Sequence, residues 1–321
     1  MHIDAYLRCF NYYCFKYIIG LSEPRYAEAL VFGIIMHTAL ETWYITKNLD
    51  KAEQTLIAEA AKWAHESNLA NPKGPRSISN GLAKLRMYAD IYKNDSFKHI
   101  SSEVEHLVLI TAKHVINQVI ASNIKQVSIT REIPIYYLTH IDTVGRYYNN
   151  LAFLEHKTTS LYSTSPVLNT YTYSLQVIGY IMSLMDKYKL VEPCKGYIDL
   201  IFLRAKTREN MTLRYPVLCT IKEITTFKDF LSTIIGDILW REKSLKEFTL
   251  PTPSRCAIYN RVCEYSDVCK MLPDVIKCEK FLKSKGFVDT MPARLDHILE
   301  EGKEVVEGKK YYKLIKGLTL C

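Results

Sequence analysis

Two short strand-like runs, Ile141–Tyr147 and Leu151–Lys157, flank Tyr148-Asn149 and constrain this 321-residue chain more than any other feature in it. A two-residue turn centred on Tyr148-Asn149 pairs positions whose numbers sum to a constant, which sets Asp142 opposite Glu155. A turn at Asn149-Asn150 sets Asp142 opposite Lys157 instead. Any even-length loop leaves Asp142, Glu155 and Lys157 on one face, because side chains alternate along a strand. Two carboxylates and an ammonium then converge, a costly arrangement unless a divalent cation neutralises the acids. Carboxylate oxygens suit Mg²⁺ or Mn²⁺, and a neighbouring lysine can orient or deprotonate a water for attack on phosphorus. Taken alone, an exposed strand pair with a surface ion pair has the same pattern.

The rest of the chain supplies elements to flank that pair. Residues 1–46 carry aromatic and aliphatic side chains at helical spacing, interrupted at Gly20–Glu23 and Pro24. Asp50 is placed to cap a helix with Leu56, Ile57, Ala60 and Ala64 on one face, and Asn71–Pro75 is a loop. Amphipathic spacing through Leu82, Leu85, Met87, Tyr88 and Tyr92, and again over Val104–Val119, predicts two further helices. Residues 46–122 therefore read as a helical insertion. From Gln126 the texture is β-branched and aromatic, predicting a strand over Gln126–Leu138 ahead of the pair. A helix over Tyr173–Met185, strands at Gly196–Arg204 and Tyr215–Ile221, and a helix over Phe227–Lys246 follow. The fold class is α/β, a small mixed sheet flanked by helices, expected as one domain over residues 1–321.

The net charge of +8 favours a polyanionic partner. The apolar run Ala29–Leu40 is too short to span a bilayer, and the first residues show neither a basic leader nor an apolar signal core, so no membrane is expected and the chain reads as cytoplasmic. In that setting the nine cysteines are not expected to form stable disulfides. Cys256, Cys263 and Cys269 cluster in the sequence, which suggests a metal or iron–sulfur centre within residues 250–275. Gly302 and Gly308 do not form a phosphate-binding loop, so the chain has no ATP motor of its own, and no zinc-finger or helix-turn-helix signature points to sequence-specific readout.

Four segments together carry a resemblance. Ile141-Asp142-Thr143-Val144 and Phe153-Leu154-Glu155-His156-Lys157 resemble the core motifs of PD-(D/E)XK nucleases, particularly the RecB-like branch. Gly33-Ile34-Ile35-Met36-His37 resembles that branch's GxxxH helix, and Gln176-Val177-Ile178-Gly179-Tyr180 its QxxxY helix. Thr139-His140 stands where the family often has a glycine. The resemblance implies a restriction-endonuclease-like core. It implies that His37, Asp142, Glu155 and the backbone carbonyl of His156 bind Mg²⁺ or Mn²⁺, and that Lys157 positions or activates the attacking water. Gln176 and Tyr180, one turn apart, would contact the DNA strand or brace the site, and Glu41 would be a supporting carboxylate.

The cysteines extend the resemblance to the iron–sulfur nucleases of that branch, such as the AddB nuclease domain and the CRISPR-associated exonuclease. Those take a fourth cysteine from the N-terminus, a position that Cys9 fits. Cys14 is roughly 140° further around a helix and points elsewhere. The implied cofactor is a [4Fe–4S] cluster on Cys9, Cys256, Cys263 and Cys269, with tetrahedral zinc as the alternative. The first C-terminal gap is six residues here, where the commonest pattern has two. Cys194, Cys219, Cys278 and Cys321 show no ligand spacing. The implied activity is that of a nonspecific exonuclease preferring single-stranded DNA, in recombination, repair or phage DNA metabolism, with a helicase or recombination protein as a potential partner. A catalytically silent DNA-binding subunit of such a complex is the alternative.

Overall fold

The pair of runs around Tyr148-Asn149 lies at the centre of a five-stranded sheet. In a computed structural model, residues 5–7, 9–18, 20–22, 28–67, 74–119, 126–161, 174–243, 256–258, 261–269, 271 and 275–289 are described. They belong to two compact units. The first holds Tyr26–Ala112 and Glu132–Ser232; the second holds Met1–Arg25, Lys113–Arg131 and Thr233–Cys321.

The sheet runs β1 (Phe97–Val119), β2 (Gln126–Tyr147), β3 (Asn150–Thr159), β4 (Lys195–Phe202) and β5 (Thr212–Val217), in that spatial order. Strands β2 and β3 are antiparallel, with register from Tyr147↔Asn150 to Thr143↔Leu154. Every such pair sums to the same number, which fixes the two-residue turn at Tyr148-Asn149. Both turn residues have positive φ, 46° and 68°, the backbone of a tight hairpin turn whose twist matches the strands it joins. Strands β3 and β4 are parallel, so a crossover must join them, and the helix α4 (Leu175–Tyr188) lies within it.

Helices α1 (Glu28–Thr46), α2 (Leu49–Ser67) and α3 (Ile78–Ile91) build the core of this unit. Phe32, Ile35, Met36 and Leu40 of α1 pack with Leu56, Leu85 and Tyr88, and with Ala152 and Leu154 of β3. Among the described residues α1 is the helix long and apolar enough to cross a membrane, and here it is the central core helix. On the other face of β3, Phe153 meets Tyr180 of α4 edge to face at 5.5 Å. The caps are local. The Asn48 side chain accepts from Lys51 N–H, Ser77 accepts from Asn80 N–H, and Thr220 and Glu223 exchange bonds at the start of α5 (Ile221–Lys243).

In the second unit, a helix over Phe10–Tyr13 continues as a π-turn through Cys14–Ile18. Tyr6, Phe10, Tyr13, Cys14 and Tyr17 pack with Ile238. Leu21–Ser22 pairs antiparallel with Val288–Asp289, and Tyr265 OH donates to Leu21 O at 2.5 Å, so segments far apart in the sequence meet in this unit. Ala257–Ile258 and Arg261–Val262 form a short hairpin, followed by Ser266–Cys269 and the helix α6 (Val275–Ser284).

Three sequence expectations differ from this fold. Val104–Val119 is not helical: residues 97–119 are strand β1, and the helices of the expected insertion end at Ile91. Val104, Val108 and Ile110 are buried while Leu107 and Leu109 are exposed, so leucines on the solvent face blurred a period of two into an apparent helix. The runs Gln126–Leu138 and Ile141–Tyr147 are one continuous strand. Asn48, not Asp50, caps α2, on which Leu56 is buried and Ile57 exposed. Most of the loop Asn71–Pro75 and the residues beyond Asp289 lie outside the described residues.

Two glycines give opposite expectations. A Cβ on Gly145 of β2 would run into Lys98 O and the Phe97 ring, and a backbone atom cannot step aside. Gly33, inside α1, has nothing within 4 Å of its added Cβ. Gly145→Ala should lower unfolding free energy by about 1–3 kcal/mol, whereas Gly33→Ala should raise it by roughly 0.5–1 kcal/mol. Urea midpoints at unchanged slope measure both, and an equal effect of the two changes would refute this account of the β1–β2 contact.

Candidate active site

Strand β3 presents its residues alternately to two different environments. Glu155 and Lys157 point to the α4 side, His156 to the α1–α3 side, and the register of the hairpin carries Asp142 of β2 to Glu155. The hairpin register sets the carboxyls of Asp142 and Glu155 side by side, close enough for each to act on the other's charge, and the Lys157 ammonium pairs with Glu155 Oε1. His37, on α1, brings Nδ1 to 3.2 Å from Asp142 Oδ2, and the same oxygen accepts from His156 N–H at 3.2 Å. From α4, Gln176 Nε2 lies 3.3 Å from Glu155 Oε1 and 2.5 Å from Tyr180 OH. Seven residues picked from sequence thus converge: His37, Asp142, Glu155, His156, Lys157, Gln176 and Tyr180. Side-chain exposure is 24% at His37, 14% at Asp142 and 27% at Lys157 but 2% at Glu155, so solvent reaches the cluster past the first three.

Burial governs the charges. It pushes the Glu155 carboxyl up to about 7, against the pull of the Lys157 ammonium and helped by the Asp142 charge. Burial also raises Asp142, which Lys157 opposes. For His37 burial lowers the pKa and Lys157 lowers it further, leaving a neutral imidazole at neutral pH. Glu155 Oε2 is buried and has no hydrogen-bond partner among the described residues. A buried carboxylate oxygen without a donor, a second carboxylate and a neutral imidazole are the donor set of a hard divalent cation. Their protein arrangement is closed on itself: among the described residues no group of three His, Cys, Asp or Glu is laid out as metal ligands.

Residues 1–270 match the PD-(D/E)XK nuclease superfamily. The chain belongs to that superfamily. No match emerges among curated proteins. Among solved structures, the crystal structure of SSO0001 has 14% identity over 68% of this chain and 77% of that one, with a TM-score of 0.25, too low to carry any argument.

Behind the candidate site lies a network that sequence reasoning missed. Register sets His156 of β3 beside Asp199 of β4, and Asp199 beside Arg214 of β5. Arg214 grips both Asp199 oxygens at 2.7 Å, and donates to Asp95 at 2.7 Å and to Tyr44 OH at 2.9 Å. Burial alone would lower the Arg214 pKa, but its bonds to Asp199 raise it, so the guanidinium stays charged. The signal was a lone acid inside the apolar run Gly196-Tyr197-Ile198-Asp199-Leu200-Ile201-Phe202, which a buried strand tolerates only with a partner.

The cysteines lie in the second unit. Extending the hairpin register Ala257↔Val262 by one step sets Cys256 opposite Cys263, and Cys263 N–H donates to Cys256 O at 2.7 Å. Burial pushes the Cys269 thiol up to about 12, with further contributions from Cys263, Cys9 and Cys256, which therefore lie within electrostatic reach of it, although among the described residues no three cysteines are laid out as metal ligands. Cys14 is buried in the aromatic cluster instead, and Cys278 donates to Val268 O. Cys194 and Cys219 sit elsewhere, raised by burial to about 12 and about 11. Cys321 lies outside the described residues.

The acid site predicts a pH dependence. A carboxyl must lose its proton to bind a cation, so a proton on Glu155 competes with metal as pH falls through about 7. The Mn²⁺ affinity of the DNA-free protein should rise roughly tenfold per pH unit up to about pH 7 and level off above it. Calorimetric titrations across that range measure it; an affinity that does not change with pH would contradict the buried, protonated Glu155.

Proposed function

We propose that this protein is a metal-dependent DNA nuclease, an exonuclease preferring single strands, acting in the cytoplasm in recombination, repair or phage DNA metabolism. The supporting observation is the convergence of His37 of α1 with Asp142, Glu155 and Lys157 of β2 and β3. Mg²⁺ or Mn²⁺ held by His37, Asp142, Glu155 and the His156 carbonyl would supply Lewis-acid stabilisation of the phosphodiester and lower the pKa of water. Lys157 orients the attacking water and offers positive charge to the phosphate oxygens. Gln176 steadies the Glu155 carboxylate through its amide nitrogen, which also donates to Tyr180 OH, and its exposed position suits contact with a DNA strand. The positive net charge suits a backbone-directed substrate, with a helicase or recombination protein as partner. The intact acids and lysine favour this reading over a silent DNA-binding subunit.

The same reading includes a structural [4Fe–4S] cluster on Cys9, Cys256, Cys263 and Cys269, with zinc as the alternative metal. The electrostatic reach of Cys9, Cys256 and Cys263 to Cys269 supports it. Phosphodiester hydrolysis moves no electrons, so the cluster has no part in the chemistry.

Glu155→Gln and Lys157→Ala should each slow cleavage of labelled single strands by about a thousandfold while DNA binding stays close to wild type. Cleavage by both variants at the wild-type rate would dismiss the assigned site, and equal rates on circular and linear single strands would make the protein an endonuclease. Cys9→Ala and Cys263→Ala should give colourless protein that melts early, whereas Glu155→Gln stays brown and folded. Zinc without iron in anaerobically purified protein would replace the iron–sulfur assignment, and cysteine variants as stable as wild type would remove the metal altogether.

A further inference from the structure

The row His156, Asp199, Arg214 crosses three strands at the level of the catalytic residues, on the face turned away from them. Tyr88 of α3 closes it. Its hydroxyl donates to Asp199 Oδ2 and lies 3.2 Å from His156 Nε2. A hydroxyl has one proton, and here the Asp199 carboxylate takes it, so the oxygen can only accept from His156. His156 is therefore an Nε2–H donor, in one tautomer and one ring orientation, wedged against the Tyr44 and Tyr88 rings at 5.6 and 5.8 Å. Tyr88, Asp199 and His156 are all almost fully buried.

The backbone of that same histidine faces the nuclease site. Its N–H holds Asp142, and its chain neighbours are Glu155 and Lys157. A strand residue clamped by its side chain on one face has its backbone fixed on the other, and displacing it displaces both neighbours. Stability alone gives no reason for such a row: buried ion networks are commonly no more stabilising than well-packed apolar residues of the same volume. Its location behind the catalytic rung does give one.

We infer that Tyr88 is a positioning residue of this nuclease, fixing His156 through the hydroxyl that Asp199 and Arg214 hold, and so setting the backbone on which Asp142, Glu155 and Lys157 assemble around the cation. This rests on the proposed metal-dependent activity. Tyr44 supplies the control, because its hydroxyl belongs to the same network, 2.9 Å from Tyr88 OH and from Arg214, yet it bonds to these and to Asp95 rather than to His156.

The experiment is calorimetric titration of Mn²⁺ into DNA-free protein, with thermal midpoints taken alongside. Tyr88→Phe should bind Mn²⁺ about tenfold more weakly, as loss of a residue supporting a metal ligand does, and lower kcat with KM for DNA unchanged. Tyr44→Phe should lose comparable thermal stability and keep wild-type affinity. His156→Leu should match Tyr88→Phe, the double variant should be no worse than either, and His156→Gln, whose amide can reach Tyr88, should recover most of the affinity. If Tyr88→Phe does not fold, the contrast between His156→Leu and His156→Gln carries the same weight. Wild-type affinity in Tyr88→Phe, or an equal loss in Tyr44→Phe, overturns the positioning role while leaving the nuclease reading intact. A wild-type protein that binds no Mn²⁺ overturns both.

Discussion

The turn at Tyr148-Asn149 is where this structure is decided. Both of its residues have positive φ, 46° and 68°, a conformation that asparagine accepts readily and tyrosine rarely does. Nothing longer than two residues separates the strands, so the register is rigid, and a slip of one residue would turn every side chain of β3 to the wrong face. Asp142 and Glu155 meet because the turn leaves them no alternative. The cost of that meeting is visible in Glu155, whose carboxyl burial raises to about 7 and whose Oε2 is left without a partner. A site that holds two acids together in the absence of metal must protonate one of them, pair it with a lysine, or both; here the Lys157 contact and the raised pKa do both.

Strand β3 carries two polar systems back to back. On one side Lys157 reaches solvent beside α4 with Glu155 buried beneath it; on the other His156 leads into Asp199, Arg214, Asp95, Tyr44 and Tyr88, closed beneath α1 and α3. The parallel pairing of β3 with β4 aligns them, since it sets His156 level with Asp199. The two systems differ in how fully they are satisfied. The closed network finds donors for its acids within the protein, with Arg214 bonded to both Asp95 and Asp199. The open one does not, and an incompletely satisfied cluster facing solvent is what a site awaiting a ligand needs.

Much of this was legible in the sequence, for a physical reason. The acid pair of the candidate site depends on alternation and a two-residue turn, both local, so Asp142, Glu155 and Lys157 could be placed on one face from spacing alone, and the resemblance added His37, Gln176 and Tyr180 from α1 and α4. The closed network was not legible, because Tyr44, Tyr88, Asp95, Asp199 and Arg214 come from four separate elements and a loop, and only the fold brings them together. Strand β1 was misread because Leu107 and Leu109 are apolar on its exposed face. The start of α5 was placed six residues late, at Phe227, although Thr220 and Glu223 form the reciprocal cap that marks a helix start in sequence.

The cysteine spacing is the clearest case of spacing standing in for geometry. A six-residue gap between Cys256 and Cys263 departs from the common two, and as a linear pattern it counts against a shared ligand site. Folded, the gap is two strand pairs and a two-residue connection, with Ala257↔Val262 and Ile258↔Arg261 in register, so Cys256 and Cys263 face each other at the open end of a hairpin. The residues between are Tyr259-Asn260, the same dipeptide as Tyr148-Asn149 at the candidate site. The arithmetic that sets Asp142 against Glu155 therefore also sets Cys256 against Cys263. A ligand motif is a statement about distance between side chains, and a tight hairpin lets six intervening residues meet the same requirement as two.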